Sequence, residues 1–113
     1  MHKNYLTYQF ALSFHQLCMI VEISDRNVKN RLLRSAEQMI QSFTLSLHAK
    51  RPSDEGIHYF SCLLNLRECR LDLESVSRFQ GELVTKYEMI HARLEKLCEK
   101  AAEAEGGQYR MLG

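Results

Sequence analysis

Two short runs, Glu55-Gly-Ile-His58 and Glu88-Met-Ile-His91, carry the residue types from which a protein builds a metal centre. A di-metal carboxylate bundle takes one Glu-x-x-His from each of two helices and one Glu from each of two more, all projecting to one point. The types match and the depths do not. If the helices holding the two runs turn at Gly81, His58 lies some 23 residues from the turn and His91 about 10, a mismatch of about 20 Å at the helical rise. The other carboxylates miss as well: Glu22 sits beside the first break, Glu37 lies well along the second helix, and Glu88 points away from the apolar face of its own. His58 with Cys62, and His15 with Cys18, supply two ligands apiece, and two ligands do not make a site. The sequence predicts no metal and no cofactor.

Nucleophilic chemistry fares no better. A reactive cysteine needs an electropositive, partly exposed setting, whereas Cys18, Cys62, Cys69 and Cys98 all fall on apolar stripes. Cys62 and Cys69 stand about 10 Å apart along one helix, beyond the reach of a disulfide, and no C-x-x-C pair occurs. They read as small buried hydrophobes in a reduced, cytoplasmic setting. Glycine-rich phosphate loops, G-x-S-x-G and Walker patterns are missing. The chain is predicted to be non-enzymatic.

Phosphate binding is the chemistry that remains. Arg31, Arg34, Gln38 and Gln41 share one side of the second helix, with Arg26 and Lys29 at its start and Lys50-Arg51 at its end. That row places donors over roughly 35 Å, able to hold phosphates without reading bases. The formal net charge of +1 hides the asymmetry: Arg26 to Arg51 holds six Lys/Arg against one Glu, and Glu82 to Glu105 holds six Glu against four Lys/Arg. A charged stripe on a helix is usually a solvated face, and here the acidic fourth helix offers it an internal partner.

The elements that position these residues follow from composition and period. In 113 residues, 45% are hydrophobic and 26% charged, with one proline and five glycines to break helices; that is one globular domain large enough for a core of its own. Between Ile57 and Phe79, Cys62, Leu66, Cys69, Leu73 and Val76 form one helical stripe. Phe60, Leu64 and Leu71, with Ile57 and Phe79, form another nearly opposite. A helix apolar on two sides is expected to be covered on two sides, which places this one between other helices. Before it, Val28, Leu32, Ala36, Met39, Ile40, Phe43 and Leu47 define the core side of helix two; after it, Leu83, Tyr87, Ile90, Leu94, Leu97 and Ala101 define that of helix four.

Helices are thus predicted at about 4–23, 26–50, 54–80 and 82–104. Ser24 or Asp25 caps the second, Ser53 the third, and Glu74 pairs with Arg78; Gly81 breaks the third helix and Gly106-Gly107 stops the fourth. Short connections make neighbours antiparallel. The fold is all-α, an up-and-down antiparallel four-helix bundle spanning 1–107, with 108–113 as a flexible tail. The N-terminal apolar run is broken by Ser13, His15 and Gln16, so it reads neither as a signal peptide nor as a membrane span.

Helix one carries two stripes as well. Leu6, Phe10, Phe14, Leu17 and Val21 make the inner one; Tyr5, Tyr8, Leu12, Met19 and Ile23 make a second that a lone bundle would leave wet. Self-association covers it, with the out-of-place Leu45 of helix two as a further interface candidate.

From Tyr5 to about Leu73 the chain resembles the small bacterial four-helix bundle family that includes the 23S rRNA intervening-sequence proteins and the accessory variability proteins of diversity-generating retroelements. Leu32-Leu33-Arg34-Ser35-Ala36 followed by Met39 and Phe43 is similar to the family's arginine-alanine-alanine run and the isoleucines after it. Lys50-Arg51-Pro52-Ser53 sits where the family has its basic turn, and Tyr59-Phe60 through Asn65, Leu71 and Leu73 resembles its third helix. Ser42 and Thr44-Leu45-Ser46 depart from the intervening-sequence pattern, while Arg67-Glu68-Cys69-Arg70 is nearer to the retroelement proteins. The resemblance implies a homo-oligomer, a pentamer in characterised relatives, without enzymatic activity. In the retroelement branch it implies a basic surface that binds template RNA and a reverse transcriptase, for which Arg31, Arg34, Lys50, Arg51, Arg67 and Arg70 are the candidates. Binding of RNA, or of DNA, is the function expected; a protein-interaction scaffold that never meets nucleic acid is the alternative.

Overall fold

A computed structural model describes residues 4–104, and in it four helices make up the chain: α1 (Tyr5–Ile20), α2 (Arg26–His48), α3 (Pro52–Ser75) and α4 (Glu82–Ala104). α1 packs on α2 and α4, and α3 packs on the same two; the backbones of the diagonal pairs α1/α3 and α2/α4 do not come into contact, and α1 and α3 meet only through side chains such as Cys18 and Cys69 at the centre. Each helix therefore holds one corner of a square. The α2/α3 seam is bridged at one end by Arg31 and Asp72 and further along by the Ser42 and Ser61 hydroxyls, 3.1 Å apart. The partners' numbers rise on one helix as they fall on the other, so the pair is antiparallel, and the fold is the up-and-down four-helix bundle that the periodicity predicts.

The core follows the predicted stripes on α2, α3 and α4. Leu32, Ala36, Met39 and Phe43 meet Cys62, Leu66, Cys69 and Leu73, and Ile90 and Leu94 close the other side; all are fully buried. α1 differs. Its buried residues are Thr7, Ala11, Phe14 and Cys18, a line between the two expected stripes, while Leu6 is half-exposed. Three of these four side chains are small. The larger Tyr8, Phe10 and Leu17 on the flanks are only partly buried against the core.

Helix ends follow local chemistry. The Asp25 carboxylate accepts from the amides of Asn27 at 3.0 Å and Val28 at 3.2 Å, one of the two predicted caps of α2. α3 starts earlier than expected: Pro52 is its first residue and Arg51 its cap, in extended backbone, with Ser53 inside the first turn. Proline suits that position because its missing N–H would have no helical partner there. α3 also stops earlier, at Ser75. The Arg78 amide donates to the Leu73 carbonyl at 2.8 Å and the Ser77 amide to the Glu74 carbonyl at 3.1 Å, with Ser77 in the left-handed region at φ 56°; this double bond is a Schellman ending. It turns Arg78 out of register with Glu74, which pairs with Arg70 instead at 3.3 Å. α1 ends at Ile20 and α2 at His48, each short of the predicted limit. The expected stop at Gly106-Gly107 and the expected flexible tail lie outside the described residues.

Candidate nucleic-acid interface

Of the eight basic side chains that could meet phosphate, seven sit on a helix or its cap and Lys50 lies in the connection between the Ala49 and Arg51 caps; their local partners sort them. Arg26, Arg34 and Lys50 are exposed and make no hydrogen bond or ion pair among the described residues. Arg31 sets Nε and Nη2 on one oxygen of Asp72, at 3.3 and 3.2 Å, yet 57% of its side chain stays open to solvent. Asp72 is buried on α3 and needs that partner. Arg51 pairs with Asp54 within the first turn of α3, at 3.2 Å.

Lys29 is engaged inside the fold. Its ammonium donates to the carbonyls of Cys18 at 3.0 Å, Met19 at 2.9 Å and also Val21, groups left without helical partners where α1 ends. A cation at a helix C-terminus also meets the negative end of the macrodipole. Lys29 thus closes α1, and Arg78 continues the task by donating to the Glu22 carbonyl at 2.9 Å.

Arg67 and Arg70 stand on the other edge of α3. Arg67 donates to Nε2 of His91 on α4 at 3.2 Å, and the Nδ1 of that ring faces Glu95 at 3.1 Å. An imidazole that accepts at Nε2 carries its proton on Nδ1, so the chain reads Arg67 to His91 to Glu95. Arg70 lies over the rings of Phe79 and Tyr87, 5.1 and 5.4 Å from their centres. The basic residues therefore form two groups, one on the α2 corner and one at the α3/α4 edge. They do not line one continuous surface: the outward side of α3 between the groups is apolar.

That apolar side is what the sequence reading missed. Ile57, Phe60, Leu64 and Leu71 were expected under neighbouring helices, yet they are 60%, 52%, 45% and 59% exposed. α3 does lie between α2 and α4, but a helix at a corner has two neighbours at right angles and keeps an outer face. Of the residues assigned to self-association, Tyr5, Met19 and Leu45 are exposed and Leu12 is half-buried. Tyr8 and Ile23 pack on the protein's own core, Tyr8 stacked on Phe43 with centroids 6.0 Å apart. Leu6 and Ile20 join the exposed set on α1.

The remaining chemistry is structural. Cys18, Cys62 and Cys69 are buried free thiols. Burial pushes the Cys62 thiol well above its ordinary range, and contact with Cys18 together with burial does the same to Cys69. Cys98 borders an open apolar groove of about 370 Å³ between the start of α3 and the end of α4, lined by Pro52, Gly56, Ile57, Phe60 and Ala101. Its thiol is also raised by burial, the opposite of what a nucleophile needs. Among the described residues no group of three or more His, Cys, Asp or Glu is placed to hold a metal ion, and no helix is long and apolar enough to cross a membrane.

Compared with family models, curated proteins and solved structures, the chain has no match.

Proposed function

We propose that this protein is a non-enzymatic, self-associating helical bundle that binds nucleic acid, RNA before DNA, through the α2 corner, as an accessory to another machine. One observation carries the reading: the basic α2 and the acidic α4 sit at diagonal corners without backbone contact, and among the described residues no ion pair joins them. The internal neutralisation that the sequence allowed does not take place, and the positive field of α2 faces outward. Among the described residues Arg26, Arg34 and Lys50 have no partner to give up, and Arg31 keeps more than half of its surface in solvent. The resemblance to retroelement accessory proteins supports RNA as the polyanion, a reverse transcriptase as the machine and a pentamer as the assembly.

Labelled RNA titrated at two salt concentrations tests this. Phosphate contact weakens steeply as salt rises. Replacing Arg34 and Lys50 by glutamate lowers affinity for all sequences alike and flattens the salt slope by about 1 per lost contact. These two positions are chosen because glutamate at Arg31 would also strand Asp72. No binding at low salt removes the nucleic-acid reading.

A second reading, a protein-interaction scaffold, is favoured by the exposed strip on α3. Under it the R34E/K50E variant changes partner capture and there is no RNA affinity to lose.

A further inference from the structure

The four corners of the bundle are chemically unlike, and two of them suit each other. α3 turns Ile57, Phe60, Leu64 and Leu71 outward in the three-and-four spacing of a helix seam. From first to last this strip runs about 21 Å. On the corner diagonally opposite, α1 turns out Tyr5, Met19 and Ile20, exposed by 44%, 54% and 74%. Its 16 residues include no Asp, Glu, Lys or Arg, and they extend about 24 Å.

The outer faces of α2 and α4 both carry ions. Laid on the α3 strip, either would take charges out of water without giving them partners, which is unfavourable. The α1 face covers the strip along its whole length and strands no charge of its own. Half-exposed large side chains leave roughly 100 Å² apiece. The four on α3 thus offer about 400 Å² of apolar surface, close to the non-polar share of about 800 Å² per partner in a standard stable interface. Both faces have polar interruptions: Arg67 and Glu68 together on α3, and the exposed Gln9 and Gln16, two turns apart, on α1. An amide accepts from a guanidinium and donates to a carboxylate, so these interruptions are compatible.

We infer that a second copy of this chain covers the strip, with its α1 face on the α3 face of the first. This rests on the self-association in the reading above and names the two surfaces that meet. Because they lie on opposite corners, the contact is heterologous: every copy uses one face and leaves the other open. The assembly propagates, and it closes into a ring when the turn per copy divides the circle. Each copy then shows its basic α2 on the same side.

Leu64→Glu spoils the α3 face and Ile20→Glu the α1 face; both sites are exposed, and circular dichroism checks that each variant stays helical. By light scattering the unaltered protein assembles, and each variant alone falls to the 13.2 kDa monomer mass. A one-to-one mixture of the two gives a dimer of twice that mass and nothing larger, since one good α1 meets one good α3. A mixture that stays monomeric overturns the pairing, as does a variant that dimerises alone: Ile20→Glu would do so through α3 on α3, and Leu64→Glu through α1 on α1. An unaltered protein that is monomeric at micromolar concentration overturns self-association as well, whereas an assembling protein with a silent mixture overturns only the choice of faces.

Discussion

Lys29 and Arg34 stand five positions apart on the same basic helix and do different work. The Lys29 ammonium is enclosed by carbonyls at the end of α1, while Arg34 faces open solvent. Residue type and spacing treat them as equals; only their surroundings separate them. Lys29→Met is expected to lower unfolding stability by about 1–2 kcal/mol, the scale of a cation at a partly buried helix C-terminus, and to leave any RNA affinity per folded molecule nearly unchanged. Denaturation and titration of the same preparation measure both.

Tyr59 makes a second case at this scale. Its hydroxyl receives a 2.7 Å bond from the Asn4 amide and donates to Glu55 at 3.2 Å, at the end of the bundle where Phe43 packs on the ring. Burial first, then the Glu55 charge, push its phenol from 10.0 up to about 12. The folded state therefore prefers the protonated form. Tyr59 contributes fully below pH 10 and loses that contribution as pH climbs from 10 toward 12. Tyr59→Phe should cost about 1–2 kcal/mol at neutral pH through its lost hydrogen bonds, and its stability should fall less steeply than that of the unaltered protein across the alkaline window. Urea melts at a series of pH values read both.

At the scale of the element, the two ends of α3 show how local rules compete. A serine before acidic residues is a familiar start signal, but Pro52 precedes it and is itself compatible with the first helical position, so the helix begins there. At the far end the i, i+4 pairing of Glu74 with Arg78 invites the helix onward. The Schellman bonds end it first, at the cost of holding Ser77 at φ 56°, a conformation in which a side chain crowds the backbone. Ser77→Gly removes that crowding. It is expected to raise stability by up to about 1 kcal/mol, or about 4 °C in Tm, which a thermal melt will show. Gly81, also at positive φ, has open space where a side chain would begin, with no atom within 4 Å, so conformation alone accounts for glycine there.

At the scale of the whole molecule, what matters is which helices are diagonal. The bundle measures 47 × 33 × 21 Å, and even its thinnest dimension exceeds the Debye length of about 8 Å at physiological salt. The acidic corner therefore does little to the field on the basic one. Glu88→Gln with Glu99→Gln, both exposed on α4, should leave RNA affinity within about twofold at that salt, whereas R34E/K50E should not. Equal effects from both pairs would show that binding follows net charge and not the α2 corner.

The core stripes on α2, α3 and α4 and the Asp25 cap were legible in the chain because each depends on neighbours within a turn or two, where helical period and capping chemistry act. The same holds for the separation of basic from acidic segments. The break expected at Gly81 was not legible, since α3 already ends at Ser75. Three things depended on tertiary contacts between residues far apart in sequence. These are the burial of α1 along Thr7, Ala11, Phe14 and Cys18, the use of Lys29 and Arg31 inside the fold, and the bareness of the outer α3 strip. Periodicity tells that a helix has two apolar sides. Which of them a neighbour covers is set by the square packing of four cylinders, in which every helix touches two others and turns a third side to whatever comes next.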